Sequence, residues 1–313
     1  MGKATVERGS AEEAELARAL LVRVAQKAQA RDVRGVDEAC CVRFLRARSH
    51  CARKAEALLA DSIEWRSEAR PERLRWGDVE REMKTGKMYR TPFRALDGLG
   101  TIVMRPRNEN TKDHDGQIRN LTYLLENAAA SLAREEAAAG RGYPHPQRVE
   151  KFRWLIDFQG YSIRNAPPMK TSRETLALLQ GKFPERLGQA VLWDPPRLFY
   201  AFWRLISPFV DKRTRAKVIF CFPGSGGKSK GDAGSELLQR LYTPEQLAAL
   251  GLDPSGARLE GSYDHAAYAA WMCAEDALKV TDQPVAPDAE GDVFFDCVGN
   301  CLVEGDGSHI GFS

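Results

Sequence analysis

Phe183-Pro184-Glu185-Arg186-Leu187-Gly188 opens the stretch on which the fold turns. It leads into the apolar run Ala190 to Trp193 and then Asp194-Pro195-Pro196. Next comes Phe202-Trp203-Arg204-Leu205-Ile206-Ser207-Pro208-Phe209-Val210-Asp211, and Thr214 to Lys217 introduces a second apolar run that ends at Phe222. Two apolar runs of strand length, separated by a helical pattern over 196–209, predict a strand, a crossover helix and a second strand parallel to the first.

The same alternation extends outward. Phe152 to Phe158 reads as a further buried strand, 171–180 as a helix, and Gln117 to Glu136 as a long Leu- and Ala-rich helix. Gly100-Thr101-Ile102-Val103-Met104 reads as a strand after an Asp97-Gly98 turn. Strands alternating with helices predict an α/β fold with a mostly parallel sheet. On the C-terminal side, Thr243-Pro244-Glu245-Gln246 forms a capping box with proline at the first helical position, ahead of a short helix that stops at Gly251. After about residue 275 the periodicity is weak and no role can be read.

Toward the N-terminus, Leu16, Leu20, Leu21 and Val24 make one amphipathic stripe. Cys41, Val42, Phe44 and Leu45 mark a second helix. Ala55, Leu58, Leu59, Ser62 and Ile63 mark a third, with Trp65 on its last turn. The expected organisation is a helical N-terminal domain over 1–78, an α/β domain over 79–267 and a tail over 268–313.

With 46 Lys and Arg against 43 Asp and Glu, the net charge of +3 is too balanced for a chain that works by neutralising nucleic-acid phosphates. Seven cysteines without paired C-x-x-C spacing, after an N-terminus lacking a secretion-signal pattern, favour a reducing, cytoplasmic setting. Cys297 and Cys301 have no His or Cys companions, so neither a metal site nor any other cofactor is expected. No stretch approaches the roughly 18 consecutive apolar residues of a membrane span, so membrane contact is expected to be peripheral.

The order of these motifs resembles the CRAL-TRIO family, in its phosphatidylinositol transfer branch. Arg43-Phe44-Leu45-Arg46-Ala47-Arg48, the helix carrying Trp65 and the Asp97-Gly98 turn match its N-terminal half, while the stretch from Phe183 to Lys217 matches its most diagnostic region. The resemblance covers roughly residues 37 to 265. It implies a helical subdomain leaning on an α/β domain whose sheet floors a lipid pocket closed by a mobile gating helix, here about 197–209. On a helical wheel Leu198, Phe199, Phe202, Trp203, Leu205, Ile206 and Phe209 fall within one broad arc, with Tyr200, Arg204 and Ser207 opposite. The plain alternative is an amphipathic helix packed on a core.

The resemblance also implies a headgroup site. Arg48 falls where the branch uses an arginine, Glu185 is the acid of its Pro-Glu-Arg motif, and Thr214 and Lys217 complete the set. A guanidinium, an ammonium and a hydroxyl suit a phosphodiester, and the carboxylate suits inositol hydroxyls or the cations themselves. Competing readings are a solvated basic helix face for Arg48, a turn cap for Glu185 and an edge-strand charge for Lys217. Where the branch often binds phosphatidylcholine through small hydroxyl residues, this chain has bulky Phe152 and Trp154, so a second ligand is expected to be a different, more apolar lipid. Further departures are the Gly/Ser/Lys insert 224–231 and Gly261-Ser262 in place of a Gly-Gly ending.

Two patterns point elsewhere. Phe222 to Ser229 imitates a nucleotide-binding P-loop, but Phe222 stands where its first glycine belongs. Gly227-Lys228-Ser229-Lys230-Gly231 fits a serine-nucleophile pattern, with His265 or His309 and Asp264 or Asp253 as imaginable partners. It lies in a lysine-bearing insert rather than on a tight strand-to-helix turn.

The expected function is therefore a monomeric, non-enzymatic lipid carrier. It takes phosphatidylinositol from membranes, docks transiently and peripherally, and binds no nucleic acid. The alternatives are a CRAL-TRIO sensor for a sterol or tocopherol-like hydrophobe, or a serine hydrolase.

Overall fold

A computed structural model describes residues 6–27, 36–210, 212–222, 232–253 and 263–279. The insert 224–231, with the serine-nucleophile pattern and all of the P-loop-like stretch after Phe222, lies outside the described residues, as do Asp211, Gly261-Ser262, Cys297, Cys301 and His309.

Three helices form the N-terminal bundle: α1 (Ala11–Lys27), α2 (Glu38–Ala47) and α3 (Ala52–Ala69). Asp37 caps α2 by accepting from the Cys40 N–H at 2.6 Å. Ala17, Leu20 and Val24 from α1 meet Phe44, Leu45, Leu59 and Ile63 in a core of their own. Full burial of each large side chain contributes roughly 1.5–3 kcal/mol. Glu13 is buried beside this core and accepts from Arg46 at 2.8 and 2.6 Å and pairs with His50 at 2.7 Å. Burial pushes its carboxyl up, but the bonds from Arg46, the Gly9 N–H and His50 outweigh that and hold it at about 2.

After α4 (Glu80–Met83) the sheet is built from β1 (Met88–Arg94), β2 (Gly100–Met104), β3 (Phe152–Asp157), β4 (Leu187–Trp193) and β5 (Val218–Cys221). The spatial order is β1-β2-β3-β4-β5, antiparallel for the first pair and parallel for the rest. Between the strands run α5 (His114–Ala138), α6 (Met169–Gly181), α7 (Arg197–Ile206) and the short α8 (Lys212–Ala216). The chain closes with α9 (Asp232–Leu241), α10 (Pro244–Ala249) and α11 (His265–Ala277). The capping box before α10 is made, with Thr243 accepting from the Gln246 N–H and the Gln246 side chain accepting from the Thr243 N–H. The mixed α/β architecture with a helical N-terminus is the one the sequence predicted.

Strand β1 was not anticipated. Pro92 interrupts its pattern, and the pairing with β2 shifts register between Arg90 and Arg94. A proline is tolerated because β1 is an edge strand.

Helix α11 runs across the expected boundary at 267. Tyr268 and Met272 are buried in the α/β core, and Asp276 accepts from the Trp76 N–H at 2.6 Å and the Tyr123 hydroxyl at 3.2 Å. The inward stripe of α11 therefore includes a carboxylate, which weakened its apolar pattern. Trp76 also belongs to the α/β core, so the expected boundary at 78 lies beyond the first residues of that core.

Candidate functional site

The parallel strands project alternate side chains onto one face, where Phe152, Trp154 and Ile156 of β3 lie in register with Leu187, Ala190 and Leu192 of β4. This face floors a cavity of about 590 Å³, within the usual size range of small-molecule sites. Leu121 and Leu125 of α5, Leu176 and Leu179 of α6, and Phe199 and Trp203 of α7 complete its largely apolar wall. The bulky Phe152 and Trp154 singled out from the sequence are thus part of the cavity floor, while Arg153 turns to the opposite face and bonds Gln189 at 2.8 Å.

Arg48, Glu185, Thr214 and Lys217 all line this cavity, at the amino ends of β4 and β5. Arg48 is the C-cap of α2, held by a turn in which Ser49 and His50 both take left-handed backbone angles and the His50 N–H returns to the Leu45 carbonyl at 2.8 Å. Arg48 itself donates to the Ala47 carbonyl at 3.2 Å. Glu185 also has a positive φ, 59°, two residues before β4. Its carboxylate lies 3.4 Å from Arg8 and 4.0 Å from Lys151. Lys217 donates to the Leu187 carbonyl at 2.7 Å, which draws the entries of β4 and β5 together. Among the described residues neither Arg48 nor Lys217 has a carboxylate within 4 Å.

The N-terminal bundle sets this geometry. The Trp65 ring meets Phe183 edge-on at 6.0 Å, Lys182 reaches Asp61 at 2.7 Å, and Arg43 pairs with Glu150 at 3.0 Å. All three contacts flank the Phe183–Leu187 entry to β4.

Sequence reading missed several basic neighbours. Arg213 lines the cavity and donates to the Arg46 carbonyl at 2.7 Å, and Arg186 donates to the Glu150 carbonyl at 3.0 Å. Burial lowers the Lys151 ammonium from its usual range; Glu185 opposes this, and Lys217, Arg8 and Arg46 add repulsion. A basic cluster around one carboxylate is a site electrostatically prepared for an anion. Arg8 and Lys151 lie far from it in sequence, and no local pattern marks them.

The gate-helix residues divide. Phe199 and Trp203 face the cavity, with the Phe199 ring 4.6 Å from Phe158 and the Trp203 ring 6.2 Å from Phe220. Leu205 and Phe209 instead face solvent, 59% and 67% exposed. At about 100° per residue, Leu205 lies about 160° around the helix from Trp203. Phe209 follows in the 3₁₀ turn Ser207–Phe209. The side chains of Leu198, Phe202 and Ile206 lie outside the described residues.

Comparison with known proteins is consistent with this geometry. Residues 93–247 match the CRAL/TRIO domain family. A CRAL-TRIO domain-containing protein of Schizosaccharomyces pombe is 31% identical over 184 residues, 59% of this chain and 17% of that protein. The phosphatidylinositol transfer protein PDR17 of Saccharomyces cerevisiae is 30% identical over 197 residues, 59% of this chain and 52% of that protein. The chain thus spans about half of the second relative and far less of the first. The crystal structure of Sfh5 superposes with a TM-score of 0.57 at 16% identity, covering 75% of this chain and 85% of that one, which is a likeness of fold. Residues 93–247, about half of the chain, thus form a CRAL/TRIO domain, and the chain resembles CRAL-TRIO domain proteins in sequence and in fold.

Proposed function

We propose that the chain shields one membrane phospholipid, phosphatidylinositol, and exchanges it with membranes without performing a reaction. The observation that carries this reading is an apolar cavity of about 590 Å³ with Arg48, Glu185, Thr214 and Lys217 on its wall at one end. Acyl chains occupy the apolar length, where each methylene kept from water gains about 0.8 kcal/mol. The phosphate meets Arg48 and Lys217 as charge-assisted bonds, the Thr214 hydroxyl adds a donor, and Glu185 accepts from inositol hydroxyls. The similarity to a phosphatidylinositol transfer protein supports the choice of lipid.

Release needs a path between two apolar environments, and the outer face of α7 fits that step. Exposed Leu205 and Phe209 share the 204–215 segment with exposed Arg204, Lys212 and Arg215. Apolar residues set among cations suit the interface of an anionic bilayer. Among the described residues no helix is long and apolar enough to cross a membrane, and docking on this face is peripheral in our reading, by a monomer in the cytoplasm.

Mass spectrometry of lipid retained after incubation with mixed liposomes tests the proposal. Wild-type protein retains phosphatidylinositol, and a variant combining Arg48→Ala and Lys217→Ala loses it. Retention of another hydrophobe by both proteins, with no phosphatidylinositol in either, refutes the headgroup assignment.

A further inference from the structure

A smaller cavity, of about 100 Å³, lies where the N-terminal bundle meets the α/β domain, between α2, α3, α5 and the approaches to β3 and β4. Phe183 and Pro184 form a wall that it shares with the larger cavity. Its lining is strongly cationic. Arg43, Arg66, Arg148, Lys182 and Arg186 line it, against two carboxylates, Glu126 and Glu150.

Both carboxylates already have partners. Glu126 pairs with Arg66 at 2.7 Å, and Glu150 accepts from Arg43 at 3.0 Å while its backbone carbonyl accepts from Arg186 at 3.0 Å. Burial pushes the Glu150 carboxyl up, but Arg43, Arg186, Arg148 and Arg46 outweigh it and hold the group ionised below its usual range. Lys182 turns to Asp61, a residue outside the pocket wall. Arg148 is left poorly served. Its side chain is only 16% exposed, and its Nε is buried 3.3 Å from a Glu150 oxygen yet has no hydrogen-bond partner among the described residues. A buried guanidinium N–H without an acceptor is unfavourable unless something absent from the protein satisfies it.

Water would supply an acceptor but no negative charge. An oxyanion supplies both, and its oxygens suit the planar fork of a guanidinium. Ser62, 3% exposed on the same wall, adds a hydroxyl. Size narrows the choice: about 100 Å³ holds one tetrahedral oxyanion and is far below the roughly 300–1,000 Å³ of sites that enclose larger ligands. We infer that this pocket binds a free tetrahedral oxyanion, inorganic phosphate, at Arg148 between the bundle and the α/β domain. The anion joins Arg43 and Ser62 on one side to Arg148 and Arg186 on the other, and so clamps the two together. Arg43 lies on the helix that ends before Arg48, and Arg186 follows Glu185, so on the lipid reading the clamp also steadies the headgroup end. The anion site itself does not depend on that reading.

The test follows thermal unfolding of the full chain as inorganic phosphate replaces chloride at constant ionic strength. The wild-type midpoint rises with phosphate, as binding to the folded state requires. Arg148→Gln weakens phosphate binding, measured by titration calorimetry, about tenfold or more through loss of a charge-assisted bond. Ala130→Glu, which sets a carboxylate into the pocket from α5, abolishes the response with every cation retained. The variant combining Arg48→Ala and Lys217→Ala keeps the wild-type response. A wild-type midpoint no higher in phosphate than in chloride overturns the inference, as does a full response in folded Arg148→Gln protein. Loss of the response in the Arg48 and Lys217 variant overturns it too, because the anion then sits in the headgroup cluster, and leaves the lipid reading standing. An intact phosphate response in protein that retains no phosphatidylinositol refutes the lipid reading alone and upholds the anion site.

Discussion

Arg66 of α3 donates two parallel bonds to Glu126 of α5, at 2.8 and 2.7 Å, and so fastens the N-terminal bundle to the longest helix of the α/β domain. Burial pushes the Glu126 carboxyl up, but Arg66 outweighs it and keeps the group ionised below its usual range. Because Arg48 rides on this bundle, the pair also fixes one side of the proposed headgroup site. Arg66→Ala leaves Glu126 without its main partner and is expected to cost about 2–3 kcal/mol in urea unfolding, somewhat less than for a fully enclosed pair. Arg66→Met combined with Glu126→Leu is expected to recover most of that loss.

Acid is expected to loosen the bundle through Glu13. Its folded carboxyl titrates at about 2, against an ordinary value of 4.5. A depressed folded value means that the stabilisation is complete above about 4.5 and disappears as pH falls toward 2. The shift corresponds to roughly 3 kcal/mol. Chemical unfolding at a series of pH values measures this, and Glu13→Gln should lose stability at neutral pH and flatten the acid limb.

Docking is expected to depend on the outward residues of the 197–209 segment. Replacing Leu205 and Phe209 together with Ser should slow phosphatidylinositol transfer between anionic vesicles about tenfold or more, while lipid already held stays bound. Raising salt should slow the wild type in the same assay, because the surrounding cations are screened. Unchanged transfer in the double variant would place the docking face elsewhere.

Filling the cavity should abolish capture without unfolding the chain. Ala190 on the floor faces open space between Trp154 and Val218 in the sheet register. Ala190→Trp is expected to lower lipid retention more than tenfold, with a change in stability of no more than about 1–3 kcal/mol. Calorimetry and lipid mass spectrometry on the same preparation separate the two effects.

The last helix is expected to be integral to the domain. Asp276→Ala removes the acceptor of both the Trp76 N–H and the Tyr123 hydroxyl. Leaving these buried donors unpaired should cost about 1–3 kcal/mol each at most, read as a fall in the thermal midpoint. An unchanged midpoint would show that α11 is dispensable.

Periodicity alone was enough for β2, β3, β4 and β5, for α5 and α7, and for the bundle helices, because each buries one regular face, and a buried face repeats at the period of its own backbone. The family resemblance singled out Arg48, Glu185, Thr214 and Lys217, and the fold brings all four to the wall of one cavity. Strand β1 and helix α11 escaped because Pro92 and Asp276 break their patterns, and both exceptions are accommodated by the tertiary setting: a place at the sheet edge for the first, Trp76 and Tyr123 for the second. The basic neighbours Arg8, Lys151 and Arg213, the outward turn of Leu205 and Phe209, and the small cationic pocket at Arg148 were decided only by tertiary structure. Each depends on which distant surfaces meet, and a one-dimensional pattern carries the period of a face but not the identity of what packs against it.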